Sequence, residues 1–292
     1  PYSGPYVVES YDASTKTAVL KKNTYYKGNF ENAKPAIEKI VYKKVVSETQ
    51  LEDLKSGGVD VLMGVTGGDA TKEALKLIDT SNGKFASVNY SRAGYGKLGF
   101  RCDFGPTMFT SVRQAIMYTL NRNEFSQTFT GGYGSVVHGP YYEGYSAFKA
   151  VKDEIKLNPY TFSVDSAIEV LKKDGWIYNA KGKDFNAGKD TVRYRKLSGY
   201  ELTAANLEFK STDGKYRTVK IDGEYYMPLC INYYGTQPNS VTDLLLTAWA
   251  NADAPKQIGM YVVYTSTDFN TGLFAELSHG EGAGWDGVWK LN

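Results

Sequence analysis

Cysteine and histidine are scarce. The 292 residues hold two cysteines, Cys102 and Cys230, and two histidines, His138 and His279. So few cysteines exclude a disulfide-rich scaffold and a four-cysteine zinc site. So few histidines exclude a multi-histidine metal centre without carboxylates. No stretch approaches the roughly 18 consecutive apolar residues that a membrane span needs. Neither sign of charge dominates: 34 Lys+Arg face 32 Asp+Glu, a net charge of +2. That excludes a strongly basic nucleic-acid binder and an acidic tail as the main theme. An initiator methionine and a signal peptide are also missing. The chain opens at Pro1-Tyr2-Ser3-Gly4, as a mature piece of a longer product would. No internal repeat or low-complexity segment is visible.

Hydrophobic residues, in contrast, make up 42%, enough for a real core, and aromatics are plentiful: 24 Tyr, 13 Phe and 4 Trp. Tyrosine joins a rigid apolar ring to a polar tip, so it suits surfaces that contact peptides or sugars. It equally suits wide, partly wet sheets.

The motifs of catalysis are weak. Gly94-Tyr95-Gly96-Lys97-Leu98-Gly99 matches G-x-G-x-x-G, but a dinucleotide site needs a helix opening at the last glycine. Phe100-Arg101-Cys102 follows, which is strand chemistry, so the match reads as chance. Gly144-Tyr145-Ser146-Ala147-Phe148 breaks G-x-S-x-G at its last position, and HExxH and CxxC are missing. Nothing local supports a Cys–His nucleophile, and a Cys102–Cys230 disulfide stays open. Glu52-Asp53 and Asp153-Glu154 read as solvated charges, and Lys43-Lys44 and Lys172-Lys173 are too short for a phosphate-tracking stripe. Asn89-Tyr90-Ser91 fits a glycosylation sequon. No cofactor and no metal are expected.

The periodicities predict strands at 5–11, 17–22 and 37–46, with Asp12-Ala13-Ser14 as a turn. Ser47-x-x-Gln50 reads as a capping box before a short helix that Gly57-Gly58 ends. Val59–Met63 reads as a buried strand, 64–68 as a loop and 71–78 as a helix. Strands are predicted at 85–90 and 98–102, then one long helix at 110–129 with Val112, Ala115, Ile116, Leu120 and Phe129 on its apolar face. Residues 131–145, with five glycines, read as loop, and 164–173 as a helix closed by Gly175. The polar 180–223 stretch reads as a long β-excursion or insertion. Strands at 229–234 and 260–265, helices at 241–252 and 268–277, and a last strand at 285–291 complete an α/β chain with a mixed sheet.

Several segments in order carry a resemblance. They include Gly4-Pro5-Tyr6-Val7-Val8-Glu9-Ser10-Tyr11, Ala18-Val19-Leu20-Lys21-Lys22-Asn23-Thr24-Tyr25-Tyr26-Lys27-Gly28 and Ile37-Glu38-Lys39-Ile40-Val41-Tyr42. Gln50-Leu51-Glu52-Asp53-Leu54-Lys55-Ser56-Gly57-Gly58-Val59-Asp60 follows, then Val112-Arg113-Gln114-Ala115-Ile116-Met117-Tyr118-Thr119-Leu120-Asn121-Arg122. Ala167-Ile168-Glu169-Val170-Leu171-Lys172-Lys173-Asp174-Gly175-Trp176 and Gln257-Ile258-Gly259-Met260 come later. The series resembles the family 5 extracellular solute-binding proteins, the oligopeptide- and dipeptide-binding components of ABC importers. Two departures stand out: the 179–226 stretch, which looks like an insertion, and Arg101-Cys102, where the family usually ends a strand in Asn.

The resemblance implies a two-lobe periplasmic-binding-protein-like α/β fold with mixed sheets, of which this chain would be an internal fragment. Residues 1–98 would be part of the first, large lobe, and 99–292 the second lobe with the insertion. It implies a non-enzymatic extracytoplasmic binder that passes peptides to an ABC transporter membrane permease, with no nucleic-acid partner. Such a protein is lipid-anchored through an N-terminal segment outside this chain. An oligosaccharide-binding member of the family is the alternative, and a cell-surface hydrolase a more distant one. The candidate ligand contacts are Gly64, Val65 and Thr66 after a buried strand, Tyr95, Lys97 and Arg101 around the expected hinge at 98–102, Tyr133 and His138 in the glycine-rich loop, and Trp285. Gly94, Gly96 and Gly99 are expected to supply the hinge with permissive backbone. Arg113 and Arg122 are expected to be structural, on opposite faces of one helix.

Overall fold

A computed structural model describes residues 2–46, 48–65, 67–90 and 94–274. The chain divides into two compact units, 1–65 and 66–292. The first carries a three-stranded antiparallel sheet of β1 (Tyr6–Asp12), β2 (Thr17–Lys22) and β3 (Lys39–Lys43) in that order. The β1–β2 turn forms where expected because Asp12 Oδ1 accepts from the Ser14 and Thr15 amides at 2.8 and 3.3 Å, an Asx-type turn. A bulge between Val8 and Ser10 shifts the register, and Leu20 faces both Val8 and Ile40. Helix α1 (Gln50–Lys55) starts at Thr49 without a side-chain cap bond, and the expected cap Ser47 lies outside the described residues. The expected buried strand at 59–63 does not form. Val61 and Met63 are 73% and 74% exposed, and no described strand pairs with them. An apolar run forms a strand only where a neighbour supplies the ladder.

The second unit opens with α2 (Gly68–Thr80), three residues earlier than its apolar spacing predicts. The predicted long helix is two: α3 (Thr110–Thr119) and α4 (Arg122–Thr130). Leu120 leaves helical geometry at φ −101°, ψ 114°, and the Asn121 side chain caps α4 by accepting from the Glu124 amide. The apolar spacing runs on across this break and conceals it. Two short helices, α5 (Ser146–Val151) and α6 (Val164–Lys173), follow. Ser163 caps α6, and Gly175, at φ +85°, closes it as expected. The Trp176 amide reaches back to the Leu171 carbonyl at 3.0 Å, the long bond of a Schellman closure.

A second antiparallel sheet has the order β4 (Tyr194–Lys196), β6 (Glu224–Pro228), β5 (Val219–Ile221). The one-turn helix α7 (Ala204–Leu207) lies between β4 and β5 in sequence. Strands β7 (Cys230–Gly235) and β8 (Tyr261–Ser266) pair in parallel, Cys230 to Tyr261 through Gly235 to Ser266. They are joined through α8 (Ser240–Leu245), a π turn at Leu246–Ala250 and α9 (Asp253–Gln257). A second π turn covers Phe269–Phe274, and the predicted strand at 285–291 lies outside the described residues. The class is α/β, with three small sheets among the described residues.

One core holds this unit. Val112, Ala115 and Ile116 of α3 meet Ala167 and Leu171 of α6, with Trp176, Met227, Leu229, Ile258 and Met260 around them. Trp249 is anchored by its indole N–H, which donates to Thr119 Oγ1 at 3.0 Å. The polar 180–223 stretch contributes Val192, Tyr194, Leu197 and Phe209 to this same core.

Candidate functional site

Residues 85–90 and 98–102, expected as strands, carry no ladder among the described residues. Among the described residues, no backbone hydrogen bond ties 94–100 to another segment. Leu98, Phe100 and Phe104 pack against the core, which fixes one side of this run. Tyr95 and Lys97 are exposed. The Phe100 carbonyl accepts from the Cys102 thiol at 3.5 Å. The rest of the run offers backbone donors and acceptors without backbone partners among the described residues, with a phenol and an ammonium, on a base held by apolar contacts. Arg101 is committed elsewhere: its guanidinium forms a two-pronged pair with Asp103, one arm at 2.7 Å, and lies 4.9 Å from the Phe104 ring centre. The Arg101 hydrogen bonds hold the Asp103 carboxyl below the usual carboxylate range. Gly96 needs no glycine geometry here: it lacks a left-handed φ, and a Cβ would meet open space.

Tyr133 and His138 are exposed on the loop after α4. This loop is built rather than slack. Arg122 holds it by donating to the Val137 carbonyl at 3.3 Å, and ties it to the segment between α5 and α6 by donating to the Pro159 carbonyl. Its Nε–H is buried without a partner, and burial pushes its pKa down. Tyr141 packs on Phe148 at 4.8 Å, and Tyr142 meets Tyr145 edge-on at 5.4 Å. No hydrogen bond or ring contact among the described residues joins Tyr133 or His138 to the 95–101 run. Gly64 (φ +78°) and the half-buried Val65 end the first unit, while Thr66 and Trp285 lie outside the described residues.

Arg113 and Arg122, expected on one helix, sit on two, and both bond to carbonyls. Arg113 donates to the Thr107 and Met108 carbonyls at 2.6 and 2.9 Å, and to Thr110 Oγ1. Arg113→Ala should therefore cost about 1–2 kcal/mol of stability. That corresponds to a fall in Tm of roughly 2–8 °C. Ligand affinity should stay unchanged in the same sample, and lost binding at unchanged Tm would refute the structural assignment.

The two cysteines are free and sit in unlike places, Cys102 exposed and Cys230 buried. Burial, with a smaller contribution from the Asp213 charge, pushes the Cys230 thiol up to about 12. A thiol reagent at pH 8 should thus titrate one thiol per native chain and two after denaturation. Two fast thiols in the native protein would contradict the burial of Cys230.

Sequence reasoning missed a polar network that joins the start of α3 and the end of α6 to residues 195–201. Arg195 donates to Glu201 Oε2 and to the Asp174 carbonyl, both at 2.7 Å, and its guanidinium lies 4.1 Å from the Phe109 ring centre. Ser111 donates to Asp174. Glu201 Oε2 accepts from the Ser198 amide at 2.8 Å, one half of a capping box. The pattern Ser198-x-x-Glu201 was the readable signal.

The chain matches the family model of bacterial extracellular solute-binding proteins, family 5 (middle), over residues 1–271. No curated protein sequence matches it significantly. Its fold is similar to that of lactococcal OppA complexed with an endogenous peptide in the closed conformation, with TM-score 0.65 and 18% identity, covering 97% of this chain and 46% of that one. NikA from Brucella suis in complex with Fe(III)-EDTA gives TM-score 0.63 and 18% identity, covering 94% and 45%. The mannohexaose-bound periplasmic oligopeptide-binding protein of Thermotoga maritima gives 0.54 and 17%, covering 92% and 43%. The chain thus spans less than half the length of each of these structures. The three hold a peptide, a metal chelate and a glycan, so the shared fold does not select among ligand classes. With the family pattern running through residues 1–271, the chain belongs to the bacterial extracellular solute-binding proteins, family 5.

Proposed function

We propose that this chain is the ligand-holding part of an extracytoplasmic solute-binding protein that captures peptides and passes them to the membrane permease of an ABC importer, without catalysing a reaction on them. The observation that carries the reading is the 94–100 run, seated on the core by Leu98 and Phe100, without a backbone–backbone hydrogen bond among the described residues, its Phe100 carbonyl accepting from the Cys102 thiol at 3.5 Å. An extended peptide has the complementary row of donors and acceptors, so pairing satisfies both partners while pockets choose side chains. Family membership and the fold shared with a peptide-bound relative support it. In this reading Tyr95 and Lys97 contact ligand directly, and Arg101 acts through Asp103. Gly64, Val65, Thr66, Tyr133, His138 and Trp285 complete the proposed contacts. The lobes divide at 98/99, with hinge motion about 98–102, and an N-terminal lipid anchor lies outside this chain. No helix among the described residues is long and apolar enough to cross a membrane.

A second reading takes an oligosaccharide, favoured by the exposed Tyr95, Tyr133 and Tyr145 rings and by the glycan-bound relative. Calorimetric titration of this chain with peptide pools and with oligosaccharide pools separates the two. Heat with peptides, lowered by Tyr95→Ala and Lys97→Ala, is the expected result. Heat with glycans alone would replace the first reading by the second.

A further inference from the structure

The 94–104 run enters α3 through Gly105, which turns at φ +69°, ψ −175°. The Gly105 N–H donates to Asn206 Oδ1 at 2.7 Å, across 101 positions of sequence. Asn206 is fully buried. Its Nδ2 donates to the Glu201 carbonyl at 2.8 Å and lies 3.2 Å from Met108 Sδ, just past the same turn. Its own carbonyl accepts from Thr218 Oγ1 at 2.7 Å. The buried side-chain amide therefore ties the turn below the run to Glu201, while the backbone carbonyl of the same residue is held by Thr218. That segment lies inside the stretch that the family resemblance sets apart as an insertion. A buried amide with its acceptor and donor both used has one orientation only, so it fixes the Gly105 amide in place rather than merely filling space.

We propose that residues 198–218 form a clasp that sets the position of the 98–105 run, with Asn206 as its positioning residue. The clasp acts on ligand binding because the run it holds is the one read above as facing the ligand, so this inference rests on that reading. Leu98, Phe100 and Phe104 hold the run by apolar contact, which resists lifting but not sliding. The directional bond at Gly105 fixes the register along the run, and register decides which backbone groups meet a ligand.

The test uses the 292-residue chain and Asn206→Ala. Expected are an exchange rate of the Gly105 amide at least about tenfold faster, from the loss of one buried hydrogen bond, and lower ¹⁵N order parameters over 98–105. Exchange and order in α3 and α6 stay as in the parent chain. Affinity for the peptide pool falls in parallel. A uniform rise in exchange across the unit, or unchanged dynamics at 98–105, would overturn the clasp. Altered dynamics with unchanged peptide affinity would overturn its role in binding. If Asn206→Ala does not fold, Thr218→Val removes only the hydroxyl that holds the Asn206 carbonyl and is read in the same way, with a smaller expected change. The dynamics need no ligand. A parent chain that binds no peptide therefore defeats the peptide reading and the binding role, and leaves the mechanical role of Asn206 to be decided by the exchange data.

Discussion

Replacing Gly131 by alanine is expected to cost about 3 kcal/mol or more, and to lower Tm by roughly 6–12 °C. Two separate costs meet at this position. Gly131 closes α4 in the left-handed region, at φ +64°, ψ 21°, where an L-residue with a Cβ pays about 1 kcal/mol or more. A Cβ there would also lie 2.7 Å from the Gly68 Cα and 3.0 Å from its carbonyl oxygen. Both are backbone atoms of the first turn of α2, so no rotamer change relieves the clash and the two helix ends must separate. The neighbours divide the effect. Gly132, at φ +92°, has nothing within 4 Å of a Cβ, so Gly132→Ala should show the backbone cost alone. Gly68 has no left-handed φ but would place a Cβ 2.5 Å from the Gly131 nitrogen, so Gly68→Ala should show the steric cost alone. Denaturant titration of the three variants gives the partition. If Gly131→Ala is as mild as Gly132→Ala, the α2–α4 contact opens freely and the tight approach does not matter for stability. The loop that carries Tyr133 and His138 starts here, so the same substitution should also loosen that part of the proposed ligand surface.

Much of the fold follows from local chemistry that the sequence displays. The turn at Asp12 and the closure of α6 by Gly175 form where they are expected, and Ser163 caps α6 by the same kind of local bond. The errors have a common origin in what lies far along the chain. At 120–121 the apolar spacing continues through the break, and only the Asn121 cap betrays it. At 59–63 and 98–102 the residues are right for strands, yet a strand is a pairing and no partner strand is among the described residues. The 180–223 stretch reads as polar because its lysines, glycines and aspartates outnumber its apolar residues. Val192, Tyr194, Leu197 and Phe209 nevertheless suffice to tie it into the core.

The candidate site was legible in a similar measure. Tyr95 and Lys97 are exposed, and Leu98 and Phe100 beside them pack on the core. Arg101 looks the same in sequence but has Asp103 two positions on and forms an internal pair with it. Asn206 could not be found from spacing, because its partner Gly105 is remote and a buried asparagine has no periodic signature.

Arg195→Met is expected to be among the most damaging single substitutions, at about 3–5 kcal/mol. The Arg195 and Glu201 side chains are 15% and 5% exposed, and their bond is 2.7 Å. Removing the guanidinium leaves the Glu201 carboxylate in the interior with the Ser198 amide and hydroxyl as its remaining partners. The Asp174 carbonyl at the end of α6 loses its donor as well. Methionine keeps much of the stem that packs near Phe109, so the loss measured is chiefly electrostatic. Removing the opposite charge should then restore part of it. The double variant Arg195→Met, Glu201→Gln is expected to be more stable than Arg195→Met alone by about 1–2 kcal/mol, since a neutral amide is cheaper to bury than an unpaired carboxylate. Chemical denaturation of the parent, both single variants and the double variant closes the cycle. Additive losses would mean that the two side chains do not interact, whatever their distance. The capping box also holds the Glu201 carbonyl that receives the Asn206 amide. Arg195→Met should therefore speed exchange of the Gly105 amide even in conditions where the chain stays folded, and an unaltered Gly105 would separate the ion pair from the clasp.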